Sequence, residues 1–280
     1  MLASVLDRGA GALRAAGIEQ PRMEARLLLA GVMGVPQEDV IGERAVPNVQ
    51  ALVRYEASLA RRVAREPLAY ILGEREFWSL PFAVGPGVLV PRPESEILVS
   101  EALREFPACD TPLDVLDLGT GSGCLLLSFL HERPNAQGIG VDISRQALSW
   151  AARNASDLGL SPRAAFLLSS WMDDVSDRFD AIFINPPYVA LDDLAKLEPE
   201  LSYEPVAALS GGHDGFDAYR QIAPQLAPAL KPGGRLFVEI GAGQGERVAA
   251  VLGATGFRIV RFVPDLAGIP RCLVLERTGG

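Results

Sequence analysis

Residues 115 to 127 read VLDLGTGSGCLLL. An apolar run passes into three closely spaced glycines, Gly119, Gly121 and Gly123, and straight on into a leucine-rich segment. A strand, a tight glycine turn and a helix account for that order, because glycine enters left-handed backbone without a Cβ clash. The spacing is G-x-G-x-G, with Asp117 just ahead of it. It is not the dinucleotide fingerprint G-x-G-x-x-G, since Cys124 stands where the third glycine belongs. Such a turn either brings backbone close to a ligand or simply makes a tight connection. The glycines alone leave both open.

Outward from this loop, strands are expected at 113–118, 137–142, 164–169, 180–185, 234–240, 257–262 and 271–276. Helical stretches fall between most of them, the clearest being SRQALSWAARNASDLG at 144–159. Alternation of this kind predicts an α/β fold with a doubly wound, mostly parallel sheet. Ligands of such sheets sit beyond the C-terminal strand ends. The strand at 137–142 ends in Asp142, which suits hydrogen bonding to the two hydroxyls of a ribose and disfavours a phosphorylated one; capping the next helix is the alternative.

Upstream the pattern is helical. PRMEARLLLAGVMG (21–34) has proline at its start and glycine at its end, and NVQALVRYEASLARRVARE (48–66) repeats the apolar spacing with arginines on the outer face. From Pro67 to Glu94 short β-like runs are broken by glycine and proline, as in a hairpin or linker. The expected organisation is a helical domain over 1–75, a β-hairpin linker over 76–92 and an α/β domain over 93–280.

The bulk numbers exclude several classes. No run approaches the roughly 18 apolar residues of a membrane span, and Asp7, Arg8 and Arg14 interrupt what would have to be a signal core. A cytoplasmic protein without membrane contact is expected. Cys109, Cys124 and Cys272 are odd in number and lack metal-ligand spacing, so buried reduced thiols and no metal are expected. Residues 1–75 hold 10 Lys/Arg against 9 Asp/Glu, and residues 76–280 hold 16 against 26, so the net −9 is made of +1 in the first part and −10 in the second. That is a poor match for a phosphate backbone, and no nucleic-acid partner is expected.

At 180–190 the chain reads DAIFINPPYVA, a buried-strand pattern stopped by Asn185-Pro186-Pro187-Tyr188. Two prolines remove two backbone donors and fix two φ angles. One account is a strand-terminating turn with a core tyrosine. The other is a rigid clamp for an NH₂ group on an sp² carbon. A planar nitrogen is a weak nucleophile, and two acceptors, the Asn185 side-chain oxygen and the Pro186 carbonyl, could each take one N–H and orient it. Tyr188 could pack flat against the planar group. No general base is required before methyl transfer, because the proton leaves afterwards from a far more acidic cation.

Glycine loop, strand-end acid and NPPY together resemble the class I S-adenosylmethionine-dependent methyltransferases, a Rossmann-like fold with seven strands. Nearly the whole chain, from about residue 20 to 277, resembles the HemK/PrmC family of glutamine methyltransferases, which act on the Gly-Gly-Gln motif of peptide chain release factors. The stretches that carry this are EARLLLAGVMG (24–34), REPLAYILGEREFWSLPFAVGPGVLVPRPESEILV (65–99), VLDLGTGSG (115–123), GVDIS (140–144), ALSWAARNA (147–155), NPPYV (185–189), EPVAALSGGHDGFDAYR (204–220) and DLAGIPR (265–271). The resemblance implies that Gly119, Thr120, Gly121, Ser122, Gly123 and Asp142 bind S-adenosyl-L-methionine, leaving S-adenosyl-L-homocysteine as product. It implies that Trp171 lies beside the adenine and that Asn185 touches both cofactor and substrate. Pro186, Pro187 and Tyr188 would complete the glutamine site, with Asn185, Pro186 and Tyr188 as catalytic residues.

NPPY by itself also fits adenine amino-methylation of DNA, and glutamine methylation of a ribosomal protein uses the same chemistry. Arg92, Glu94 and Glu96 fit either substrate contact or salt bridges. The family usually has an acidic residue where this chain has Ser170, and a hydroxyl accepts more weakly than a carboxylate. The N-terminal helices are expected to guide the protein substrate, and the protein is expected to act as a monomer.

Overall fold

The computed structural model describes residues 2–279. The chain forms two compact units, residues 1–75 with 198–203, and residues 76–197 with 204–280. The first is helical: α1 (Leu2–Ala15), α2 (Pro21–Met33), α3 (Gln37–Ile41), α4 (Val49–Val63) and α5 (Leu68–Leu72). Pro21 opens α2 and left-handed Gly34 ends it, while the Asn48 side chain accepts the Ala51 N–H at 2.8 Å and caps α4. Val5, Leu13, Leu28, Leu29, Tyr55 and Leu59 close the core of this unit.

Two expectations fail here. Arg62 is not on the outer face: it follows Tyr55 and Leu59 at helical spacing, so it is buried with them, and Glu24 and Glu200 pair with its guanidinium at 2.6 and 2.9 Å. The stretch from Pro67 also begins as helix rather than β-run. Leu68–Leu72 close one short turn behind Pro67, and left-handed Gly73 stops it before extended backbone begins.

In β1 (Glu74–Phe77) the chain enters the second unit, and β1 pairs with β2 (Leu80–Ala83). Trp78 and Ser79 both have positive φ, 55° and 57°, as a two-residue I′ hairpin turn demands. Glu96 accepts the Trp78 backbone N–H at 2.8 Å and Glu132 its indole N–H at 2.9 Å, which holds this turn of bulky residues in place.

Next come α6 (Glu96–Glu105), β3 (Asp114–Leu118), α7 (Cys124–Glu132), β4 (Gln137–Asp142), α8 (Arg145–Asp157), β5 (Ala164–Leu168) and β6 (Phe179–Ile184). After two short helices, α9 (Leu191–Leu194) and α10 (Val206–Leu209), follow α11 (Asp217–Ala229), β7 (Leu230–Glu239), α12 (Gly245–Gly253), β8 (Phe257–Pro264) and β9 (Pro270–Arg277). The seven-stranded sheet has the order β5-β4-β3-β6-β7-β9-β8, with β9 antiparallel to both β7 and β8 and the other pairs parallel. All seven expected strands exist. One starts early: β7 begins at Leu230 rather than 234, because the register with β6 shifts between Phe179 and Ala181 and absorbs Pro232-Gly233-Gly234 as an irregularity.

Side chains alternate across the sheet. Leu116, Ile182, Leu236 and Leu273 face one core with α11 and α12; Val115, Phe183, Phe237 and Val274 face another with α6 and α7. Both faces are therefore covered, and β3 and β6 carry apolar side chains on both, Val115 and Leu116 in one and Ile182 and Phe183 in the other, as central parallel strands do. The chain runs outward through β4 and β5, then returns to lay β6 on the other flank of β3. This reversal opens a crevice beyond the ends of β3 and β6.

Among the described residues no helix is long and apolar enough to cross a membrane. The three cysteines are free, but only Cys272 is fully buried; Cys109 is exposed, against the expectation of buried thiols, because it sits in the loop after α6. Burial pushes the Cys124 thiol up to about 12 and Cys272 higher still, so both stay in the thiol form.

Candidate active site

The crevice at the strand reversal is a cleft of about 360 Å³, formed entirely within the second unit. One wall is the glycine loop. Gly119, Gly121 and Gly123 all lie in left-handed backbone, at φ 74°, 55° and 81°, where an L side chain would be strained. Gly119 and Thr120 both donate their N–H to the Val141 carbonyl at 2.9 Å, which ties the loop to β4. Asn154, a buried side chain on α8, donates to the Ser122 carbonyl at 2.9 Å and exchanges two hydrogen bonds with the backbone of Ala83.

Asp142 stands at the end of β4 with Oδ2 accepting the Gly121 N–H at 2.9 Å and Oδ1 the Ser144 N–H at 2.8 Å. Burial raises its pKa, and the backbone donors oppose the rise. Each oxygen keeps a further lone pair, so a carboxylate lining the cleft remains able to accept a pair of hydroxyls. Asp142 thus faces the cleft and also fixes Ser144, whose own hydroxyl caps α8 by accepting the Ala147 N–H at 3.2 Å. Asp117 is buried beneath the loop, pushed up to about 7 chiefly by desolvation, and takes the Thr120 hydroxyl at 2.7 Å. Next to the loop Trp171 lines the cleft, itself in left-handed backbone at φ 51°, with its ring beside Gly119 and its indole N–H donated to Gln221 at 3.0 Å. The cleft therefore offers a polar floor, an acid at a strand end and an aromatic wall, a set that fits a nucleoside.

Gly119, Thr120, Gly121, Ser122, Asp142, Trp171, Asn185 and Pro187 all line this cleft, and so does Ser170. Gly123 does not; it caps α7 instead. Pro186 is buried behind the wall, and Tyr188 packs against the sheet core with its hydroxyl donated to Glu239 at 3.3 Å.

The NPPY segment is held by residues far away in sequence. Gln244 donates from Nε2 to the Tyr188 carbonyl at 2.9 Å. Val189 bridges to Ser210, and a Cβ on Gly211 would meet the Pro187 carbonyl and Tyr188 Cα, both at 2.8 Å, so only glycine lets the two backbones touch. Asn185 donates its side-chain N–H to Ser95 Oγ at 3.1 Å, and Ser95 donates to Glu239 at 2.5 Å. Arg92 lines the cleft and pairs with the buried Glu204 at 2.5 Å, whose other oxygen accepts the Val90 N–H, while Glu96 holds the hairpin turn. Ser95, Glu239, Gln244 and Asn154 went unrecognised as site residues. The one available signal is a glutamate, Glu239, that interrupts the apolar run from Leu236 to Ile240.

Residues 4–73 match the PrmC N-terminal domain, and residues 110–248 match a methyltransferase domain. A release factor glutamine methyltransferase from Rhodospirillum rubrum is 44% identical over 99% of this chain and 85% of its own length. Its namesake from Cereibacter sphaeroides is 46% identical over 92% of each chain. The chain belongs to the release factor glutamine methyltransferase family. A solved T. thermophilus 16S rRNA methyltransferase, in complex with AdoMet and guanosine, superposes with a TM-score of 0.54 at 20% identity, covering 73% of this chain and 49% of its own. That likeness is one of fold, the class I methyltransferase fold.

Proposed function

We propose that this chain transfers the methyl group of S-adenosyl-L-methionine to the side-chain amide nitrogen of the glutamine in the Gly-Gly-Gln loop of peptide chain release factors. One observation carries the reading: Asn185, the glycine loop and Asp142 open onto the same cleft, so an amide clamp and a nucleoside-sized site share one space. Similarity to the relatives over nearly the full chain supports the choice of a glutamine over a nucleobase.

In this scheme the cofactor supplies an electrophilic methyl on a sulfonium. Asp142 takes the ribose hydroxyls, the glycine loop lies against the amino-acid end and Trp171 flanks the adenine. The Asn185 oxygen and the Pro186 carbonyl accept the two N–H groups of the glutamine, which aligns the nitrogen lone pair with the methyl. Tyr188 stiffens the segment from behind. Its ring packs on the sheet core and its hydroxyl is engaged by Glu239, so it shapes the clamp by support rather than as a wall of the cleft. The N-terminal unit guides the release factor. The free cysteines suit the cytoplasm, where release factors work.

The test is direct. Purified chain and labelled S-adenosyl-L-methionine are incubated with a release factor, its Gln→Ala version, ribosomal proteins and duplex DNA. Label is expected in the release factor alone and lost with its glutamine; label in DNA instead overturns the reading.

A further inference from the structure

The Asn185 carboxamide has an acceptor end and a donor end of nearly equal shape, and only one orientation leaves the oxygen facing the cleft. A chain of two buried side chains selects it. Glu239, at the end of β7, is 3% exposed, and as a carboxylate it can only accept. Ser95, 2% exposed, lies with Oγ 2.5 Å from Glu239 Oε2, so its one hydroxyl proton goes there. Having donated, Ser95 can only accept from its other neighbour, the Asn185 side chain at 3.1 Å. Asn185 must therefore present Nδ2 to Ser95, and Oδ1 becomes its free end.

We propose that Ser95 and Glu239 are positioning residues, which act through their hydrogen-bond polarity to hold the Asn185 oxygen towards the methyl-accepting nitrogen. The proposal rests on the planar-amide acceptor proposed above and adds the device that sets its polarity. It also makes the polarity reversible. With a proton on Glu239 the carboxyl donates to Ser95, and Ser95 donates to Asn185. The carboxamide then turns its oxygen inward and its NH₂ into the cleft, facing another donor. Burial pushes Glu239 up to about 7 against the hydrogen bonds from Ser95 and Tyr188. The surrounding groups are Arg271 and Cys272 on β9, Glu94 ahead of α6, Tyr188 after β6, Tyr219 on α11 and Cys124 on α7; Arg271 favours the ionised form and Glu94 opposes it.

Three variants test this in the full chain, with kcat, KM for the release factor and cofactor Kd measured for each. Ser95→Ala should lower kcat about 10- to 100-fold through misorientation alone, with cofactor affinity unchanged. Ser95→Thr, which keeps the hydroxyl, should restore turnover. In the wild type kcat should fall as pH drops through about 7, and in Glu239→Gln, a near-isosteric change, that limb should flatten. Independently of turnover, heteronuclear NMR should show an Asn185 side-chain NH₂ pair whose shifts follow pH in the wild type and no longer do so in Ser95→Ala. Wild-type kcat in Ser95→Ala, an equal loss in Ser95→Thr, or an unmoved NH₂ pair across the titration would each overturn the proposal. If Ser95→Ala does not fold, the Thr and Gln variants and the wild-type titration decide. Label on DNA rather than release factor would refute the substrate and not the relay, since the same comparisons are then read on DNA.

Discussion

At the end of β3 the chain is held by the strand and helix that follow it, within 32 residues, whereas at the end of β6 it is held by segments lying up to 90 residues away. The first region is a turn of left-handed glycines, hydrogen-bonded to Val141 and to the Asp142 carboxylate on the next strand. The second is Asn185-Pro186-Pro187-Tyr188, whose polar atoms are met by Ser95, Glu239 and Gln244 and whose backbone is touched by Gly211. The cofactor side is thus built from local geometry, and the acceptor side from tertiary packing. Damage to the first should show as lost binding, and damage to the second as lost turnover.

Four substitutions would break or sharpen that contrast. The largest effect is expected from Asn185→Ala, which removes an acceptor needed only when the nitrogen is aligned. Steady-state kinetics should show kcat down about 10²- to 10³-fold, while thermal melting changes little; equal loss of both would make Asn185 a structural residue. Asp142→Ala should weaken cofactor binding by roughly 2–3 kcal/mol through the lost ribose contacts, measured by calorimetry, and unchanged affinity would remove Asp142 from the site. Gly211→Ala forces a methyl against the NPPY backbone. It should cost about 1–3 kcal/mol of stability by denaturant melting and reduce kcat more than cofactor affinity; a silent variant would show that the loop yields freely. The smallest effect is expected from Ser170→Asp on the cleft wall. A carboxylate accepting from the adenine amine should tighten cofactor binding by about 1 kcal/mol, and weaker binding would mean that Ser170 does not face the adenine.

The same contrast explains what was legible. The seven strands, the glycine turn and Asp142 follow from runs of a few residues, because period-two patterns and left-handed turns are local properties. Arg62 was misplaced onto the surface because arginine is read as solvated, and only Glu24 and Glu200, far off in the chain, make its burial tolerable. Leu68–Leu72 was misread because its five residues are too few for helical periodicity to show. For Tyr188 the sequence leaves two places open, flat against a planar substrate or in the core, and only packing on the sheet and the contact with Glu239 fix where its ring and hydroxyl lie.

By itself the amino-acid order determined the doubly wound sheet and the presence, at the end of one of its strands, of a carboxamide between that strand and two prolines. Tertiary structure alone decided which way that carboxamide points. A side-chain amide has two ends of the same size, and no local preference separates them; only a buried partner of fixed donor or acceptor character does, and Ser95 and Glu239 reach Asn185 from 90 and 54 positions away.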